Sequence, residues 1–201
     1  MTWIDTIPPE EADGRLETLY ARVADAAGQV DNILVAHSLR PHTLEGHMAL
    51  YKSVLHHFGN RCEAALLETV GVAVSLWNGC RYCVEHHRAG LARLLGDAER
   101  AQAIAGAIAA GRPQEVLDGR TVAALAYAEK LTRDPAGMCA SDIEALRRAG
   151  FSDGEILEIN QVAAYFAYAN RTVLGLGVDA AGERLGLAPK ASDRPDDWRH
   201  R

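Results

Sequence analysis

The sequence predicts an all-α protein, a bundle of about seven to nine helices. Three observations carry this prediction. Apolar residues recur three and four apart along most of the chain, no region sustains strand-type alternation, and oxygen caps followed three residues later by glutamate mark helix starts. In chain order, Leu16, Leu19, Tyr20 and Val23 form a first stripe. Leu44, Met48, Tyr51, Val54, Leu55 and Phe58 form a second, and Leu66, Leu67, Val70, Val74 and Trp77 a third. The run VGVAVSLW, residues 70–77, is rich in β-branched residues, but it lies inside a longer periodic segment and has no sheet to join, so it reads as helix. Gly96, Gly111 and Gly119, with Pro113, punctuate the middle of the chain. Ser141 with Glu144 and Ser152 with Glu155 read as helix starts, and Gly150 between them suits a left-handed helix end.

The chain has 201 residues, enough for one self-sufficient core, with 21 Lys and Arg against 27 Asp and Glu and a net charge of -6. That balance repels nucleic acid and anionic lipid, so neither is an expected partner. The longest uncharged runs are about twelve residues, short of the roughly twenty that span a bilayer, and the first residues show no basic-then-apolar leader pattern. A cytoplasmic protein is expected. No repeat of solenoid period is present. A single domain is read over residues 1–187, with a motif-bearing core at about 42–110. Residues 188–201, polar and proline-bearing, read as a loose tail or an arm held by a neighbouring subunit.

The stretch NGCRYCVEHH, residues 78–87, raises the chemical question. If Asn78-Gly79 is a turn between helices, Cys80, Cys83 and His87 share one face of the second helix at i, i+3 and i+7. Such spacing brings two cysteines within disulfide range, places them near a helix N-terminus that favours thiolate, and puts an imidazole within reach of the proton. His87 is preferred to His86 because it stands four residues from Cys83. Glu68, on the preceding helix and about as far from the turn as His87, interrupts an apolar face and needs a partner, for which His87 is the natural choice. The order Glu68, His87, Cys83 then follows the pattern of a nucleophile, its base and an orienting group. Zinc binding and incidental thiols are the competing readings. A structural zinc site normally repeats its short ligand spacing, and no second such pair occurs, so no metal is expected. Cys62 and Cys139 read as unpaired thiols, and His56 and His57 as helix-end or surface groups. Trp77 reads as a core anchor. Tyr165, Tyr168, Asn170 and Arg171 read as a packing helix, with the lining of a substrate entrance as the functional alternative.

The spacing E-x11-C-x-x-C-x3-H resembles the signature of the AhpD-like alkylhydroperoxidases, within the carboxymuconolactone decarboxylase superfamily. The phrases NILVAHSLRP upstream and GFSDGEILEI, YFAYANR and LGLGV downstream are similar to its peroxidase-related subgroup, so the resemblance runs from about residue 5 to residue 178. It implies an AhpD-like helical bundle, a homo-oligomer, and antioxidant reduction of organic hydroperoxides or hydrogen peroxide through a redox-active disulfide, without metal, haem or other cofactor. Carried across, Cys83 is the attacking thiolate, Cys80 the resolving thiol, and Glu68 with His87 the proton relay. The implied reductant is a dithiol, in the best-known members a lipoylated protein. Tyr82 stands where the prototype has a histidine; it is assigned with Tyr165 to substrate binding, its hydroxyl able to donate to a peroxide oxygen. The alternative is a thiol-disulfide exchange or redox-sensing protein without efficient turnover. By position alone the attacking cysteine is open, since Cys80 is nearer the helix terminus and Cys83 nearer the histidine.

Overall fold

A computed structural model describes residues 2–201. Nine α-helices and three short 3-10 turns are present among them, with no strand: α1 (Gly14–Val23), α2 (Asn32–Val35), α3 (Pro41–Leu55), α4 (Ala64–Trp77), α5 (Arg81–Leu95), α6 (Ala98–Ala109), α7 (Gly119–Arg133), α8 (Ala140–Arg148) and α9 (Asp153–Leu176). Among the described residues no helix is long and apolar enough to cross a membrane.

The bundle is arranged around α4. Its residues from Leu66 to Ser75 are all buried, because α5, α6, α7 and α9 pack against it from several sides. A helix covered all round has no polar stripe to keep, which is why its sequence is a continuous apolar run rather than an alternating one. Each buried leucine or valine there contributes roughly 1.5–3 kcal/mol by removal from water. Tertiary burial thus overrides the modest helix propensity of the β-branched residues. Gly71 is required by close approach, since a Cβ at this position would lie 2.3 Å from the Phe166 ring of α9.

The predicted stripes on α1, α3 and α4 face the core, with one exception. Phe58 lies beyond the end of α3 and is 62% exposed. Ser152 caps α9 with Glu155 in a full capping box, and Gly150 is left-handed (φ 88°), as expected. The start of α8 falls earlier than predicted. Cys139 and Asp142 form its box in place of Ser141 and Glu144, because Asp142 reaches back to the Cys139 amide and also holds Lys130 at 2.7 Å.

The C-terminal segment, read as a loose tail or an arm held by a neighbouring subunit, is packed on its own chain. It folds back over its own chain through bridges pairing His57 with Ser192 and Pro189 with His200. The Lys52 amine, fully buried, donates to the Lys190 carbonyl and to Ser192 Oγ. Trp198 is buried beneath the Arg22 guanidinium. The polar composition misled because this segment is held by backbone pairing, the buried Lys52 amine and a single aromatic, Trp198, rather than by a recurring apolar stripe.

Candidate active site

The turn between α4 and α5 sets the site. Asn78 ends α4, Gly79 takes the left-handed conformation (φ 69°) that a side chain would resist, and Cys80 is the N-cap of α5. Cys83 follows on the first turn of α5, and the two sulfurs lie 2.9 Å apart as free, hydrogen-bonded thiols. Cys80 is wholly buried and Cys83 nearly so. Of the two, only Cys83 lines a small cavity, with room for about 40 Å³, walled by α2, α3, α4, α5, α9 and the C-terminal segment.

The two thiols are electrostatically unlike. The hydrogen bond with Cys83 lowers Cys80 below the usual thiol value against the cost of burial; the Cys83 amide adds to this without closing a full cap hydrogen bond. Cys83 is pushed well above it, by the same bond and then by burial, with Asn170 opposing. Of the two, Cys80 is thus the more readily ionised and Cys83 the one that holds its proton more tightly. Asn170, read from sequence as a packing residue, is fixed by Asn78 at 2.9 Å and Ser75 at 3.1 Å beside this pair.

Glu68 and His87 meet as expected, with Nδ1 to Oε2 at 2.8 Å and both side chains nearly buried. Burial raises the Glu68 carboxyl, but the His87 charge and hydrogen bond outweigh it and the net shift is downward, so the group stays ionised. Phe166, admitted by Gly71, packs edge-on to the His87 ring with centroids 4.5 Å apart and holds its plane. Tyr165 and Tyr82 also line the cavity. The Tyr82 hydroxyl is already committed, since it donates to Glu183 at 3.1 Å and accepts from the Ile33 amide at 3.3 Å. With both partners in place, that hydroxyl is not free to donate to a peroxide oxygen.

Several residues of the site were missed in the sequence. Glu183 holds His86 at 2.7 Å, and Asp31 holds His200 at 2.8 Å. His47 lies in the cavity wall against Tyr165 at 3.3 Å, and burial takes its imidazole down to about 3. His56, read as a helix-end or surface group, is the C-cap of α3 and also packs on Tyr51, with ring centroids 4.7 Å apart, where burial lowers it to about 4. No spacing signal marks Glu183, Asp31, His200 or His47, because their partners arrive from distant parts of the chain. Among the described residues no three His, Cys, Asp or Glu side chains are grouped as a metal site.

A bundle with a buried dithiol, one sulfur of which opens on a cavity beside an imidazole–carboxylate couple, belongs to the class of thiol-bearing all-α folds of AhpD type. Solved structures agree. The chain is similar to the AhpD-core, peroxidase-related protein of Ralstonia eutropha JMP134, at 24% identity over 90% of this chain and 93% of that one, with a TM-score of 0.78. It is likewise similar to a peroxidase-related protein of Silicibacter sp. TM1040, at 26% identity over 90% and 92%, with a TM-score of 0.72. The debrominase Bmp8 shares the fold at 18% identity, over 90% and 91%, with a TM-score of 0.69. No family model and no curated protein matches the chain. The structural neighbours are thus AhpD-like, peroxidase-related proteins, as the signature implied, and the debrominase shows that this fold carries more than one activity.

Proposed function

We propose that the protein is a thiol-dependent peroxidase that reduces small organic hydroperoxides or hydrogen peroxide. The observation that carries this reading is Cys83, whose sulfur lies 2.9 Å from that of Cys80 and which lines a cavity shared with the Glu68–His87 couple. A thiol whose proton is held as tightly as that of Cys83 needs a base, and His87 oriented by Glu68 is suited to that task. Cys83 yields its proton to His87, its sulfur attacks the terminal peroxide oxygen, and the O–O bond breaks. The departing alkoxide takes the proton from His87 and leaves as an alcohol. Cys80 then attacks the Cys83 sulfenic acid, the S–O bond breaks, and water departs. In sum, two thiols and one hydroperoxide become a disulfide, an alcohol and water.

A dithiol must reopen the disulfide. With Cys80 at 0% and Cys83 at 3% exposure, a slender dithiol such as a lipoyl arm is the reductant this burial favours over direct contact between protein surfaces. The same burial weighs against exchange with protein thiols as the main activity. A cytoplasmic homo-oligomer completes the reading. The test is turnover of an organic hydroperoxide with a dihydrolipoyl-type dithiol supplied. Cys83→Ser is expected to fall to background, and Cys80→Ser to react once and stop. Wild type that forms the disulfide but does not turn over would favour the sensing or exchange reading instead.

A further inference from the structure

His86 and His87 both stand one turn beyond Cys83 on α5, at i+3 and i+4, and both line the cavity. Each meets its own buried carboxylate. Glu68 comes to His87 from α4, and Glu183 comes to His86 from the segment after α9. Glu183 is held more completely than an anchor requires. The Tyr82 hydroxyl and the Asn32 backbone amide both donate to its Oε1, while Oε2 faces His86 Nε2 at 2.7 Å. Tyr82 also stacks on the His86 ring, with centroids 4.5 Å apart and planes 29° apart, so ring and carboxylate are fixed together. Burying a carboxylate costs several kcal/mol unless it is fully paired, and an apolar contact would fasten the segment as well. An imidazole oriented by a carboxylate beside a nucleophile is instead the arrangement of an acid–base catalyst.

We propose that His86, oriented by Glu183, is a second proton-transfer group of the site, and that it protonates the hydroxide expelled when Cys80 closes the disulfide. The inference rests on the peroxidase reading. Displacement at sulfur is in line, and Cys83 lines the cavity while Cys80, 2.9 Å from it, does not, so attack by Cys80 directs the departing oxygen of the sulfenic acid toward the cavity where the imidazoles stand. By that stage His87 has handed its proton to the alkoxide. The Cys80 sulfur forms the S–S bond, the S–O electron pair leaves on oxygen, and the His86 proton converts hydroxide to water. His86 is reloaded by the proton that the Cys80 thiol gave up to solvent. Glu183 is a positioning residue in this scheme.

The experiment treats the reduced full-length chain with a near-stoichiometric pulse of hydrogen peroxide, quenches at intervals, and follows sulfenic acid and disulfide separately by intact mass. In His86→Gln, sulfenic acid is expected to form within about threefold of the wild-type rate and disulfide closure to slow about 100-fold, so that sulfenic acid accumulates. Glu183→Gln is expected to show the same step-selective pattern with about a tenfold slowing. It serves as the second variant should His86→Gln fail to fold. Closure unchanged in a folded His86→Gln, or both steps slowed equally in either variant, would overturn the proposal. Slow attack by wild type with rapid, His86-dependent closure would reject the peroxidase reading and keep this one; rapid attack with His86-independent closure would do the reverse.

Discussion

The two imidazole–carboxylate couples at the cavity are built in different ways. His87 and Glu68 are 19 residues apart on helices joined by a short turn, so the helix spacing alone brings them opposite one another. His86 and Glu183 are 97 residues apart and meet only after α6 to α9 have been placed and the chain has returned. Closing the longer loop costs about 1.4 kcal/mol more in chain entropy by the logarithmic rule, which the surrounding packing must offset. The nearer couple is therefore part of the α4–α5 hairpin, while the farther one depends on the whole fold.

The largest effect that separates the two walls is expected on the hairpin side. Glu68→Gln and His87→Gln should each lower kcat/KM for a hydroperoxide by about 100-fold to 10,000-fold, with the loss concentrated in the attack step seen by rapid quench. A loss confined to disulfide closure would break the division of labour between the couples. On the other wall, Trp198→Ala removes the aromatic anchor of the C-terminal segment and should cost about 3 kcal/mol, read as faster limited proteolysis after residue 188. The attack step should fall less than in Glu68→Gln or His87→Gln, since the Glu68–His87 hydrogen bond is made between α4 and α5 and not by the segment that is loosened.

A smaller loss tests the link between core and site. Gly71→Ala sets a Cβ into the Phe166 ring, which must move and release the edge contact on His87. About 1–3 kcal/mol of stability should be lost in denaturant titration, with a parallel fall in the attack rate. The smallest effect at neutral pH, growing in acid, concerns His47. Its folded value of about 3 lies below the ordinary 6.5, so between these values the unfolded chain holds a proton that the folded chain does not. The stability from this group is complete above about pH 6.5 and declines as pH falls, by about 1.4 kcal/mol per unit, or about 2 kcal/mol at pH 5. Urea midpoints at pH 7 and pH 5 should show this slope in wild type and lose that share of it in His47→Gln.

How much of this could be read in advance differs by residue. Cys80, Cys83, His87 and Glu68 were legible because local spacing and one tight turn place them, and the stripes on α1, α3 and α4 were legible because burial demands their period. Phe58 was misplaced because periodicity does not say where a helix stops, and α8 began early because a cysteine cap carries no familiar signal. Glu183, Asp31, His200 and Lys52 look like ordinary surface residues in the sequence. Their burial comes from partners that only the completed chain supplies.

By itself the sequence determined the all-helical class, the hairpin of α4 and α5, and the dithiol with its nearest imidazole–carboxylate pair, since each follows from interactions within a few turns of chain. Tertiary structure alone decided that Cys83 rather than Cys80 meets the cavity, that the C-terminal segment walls it, and that a second imidazole is paired beside the first. Those outcomes depend on burial and long-range closure, where the cost of an unpaired buried charge is settled by whatever the rest of the fold brings to it.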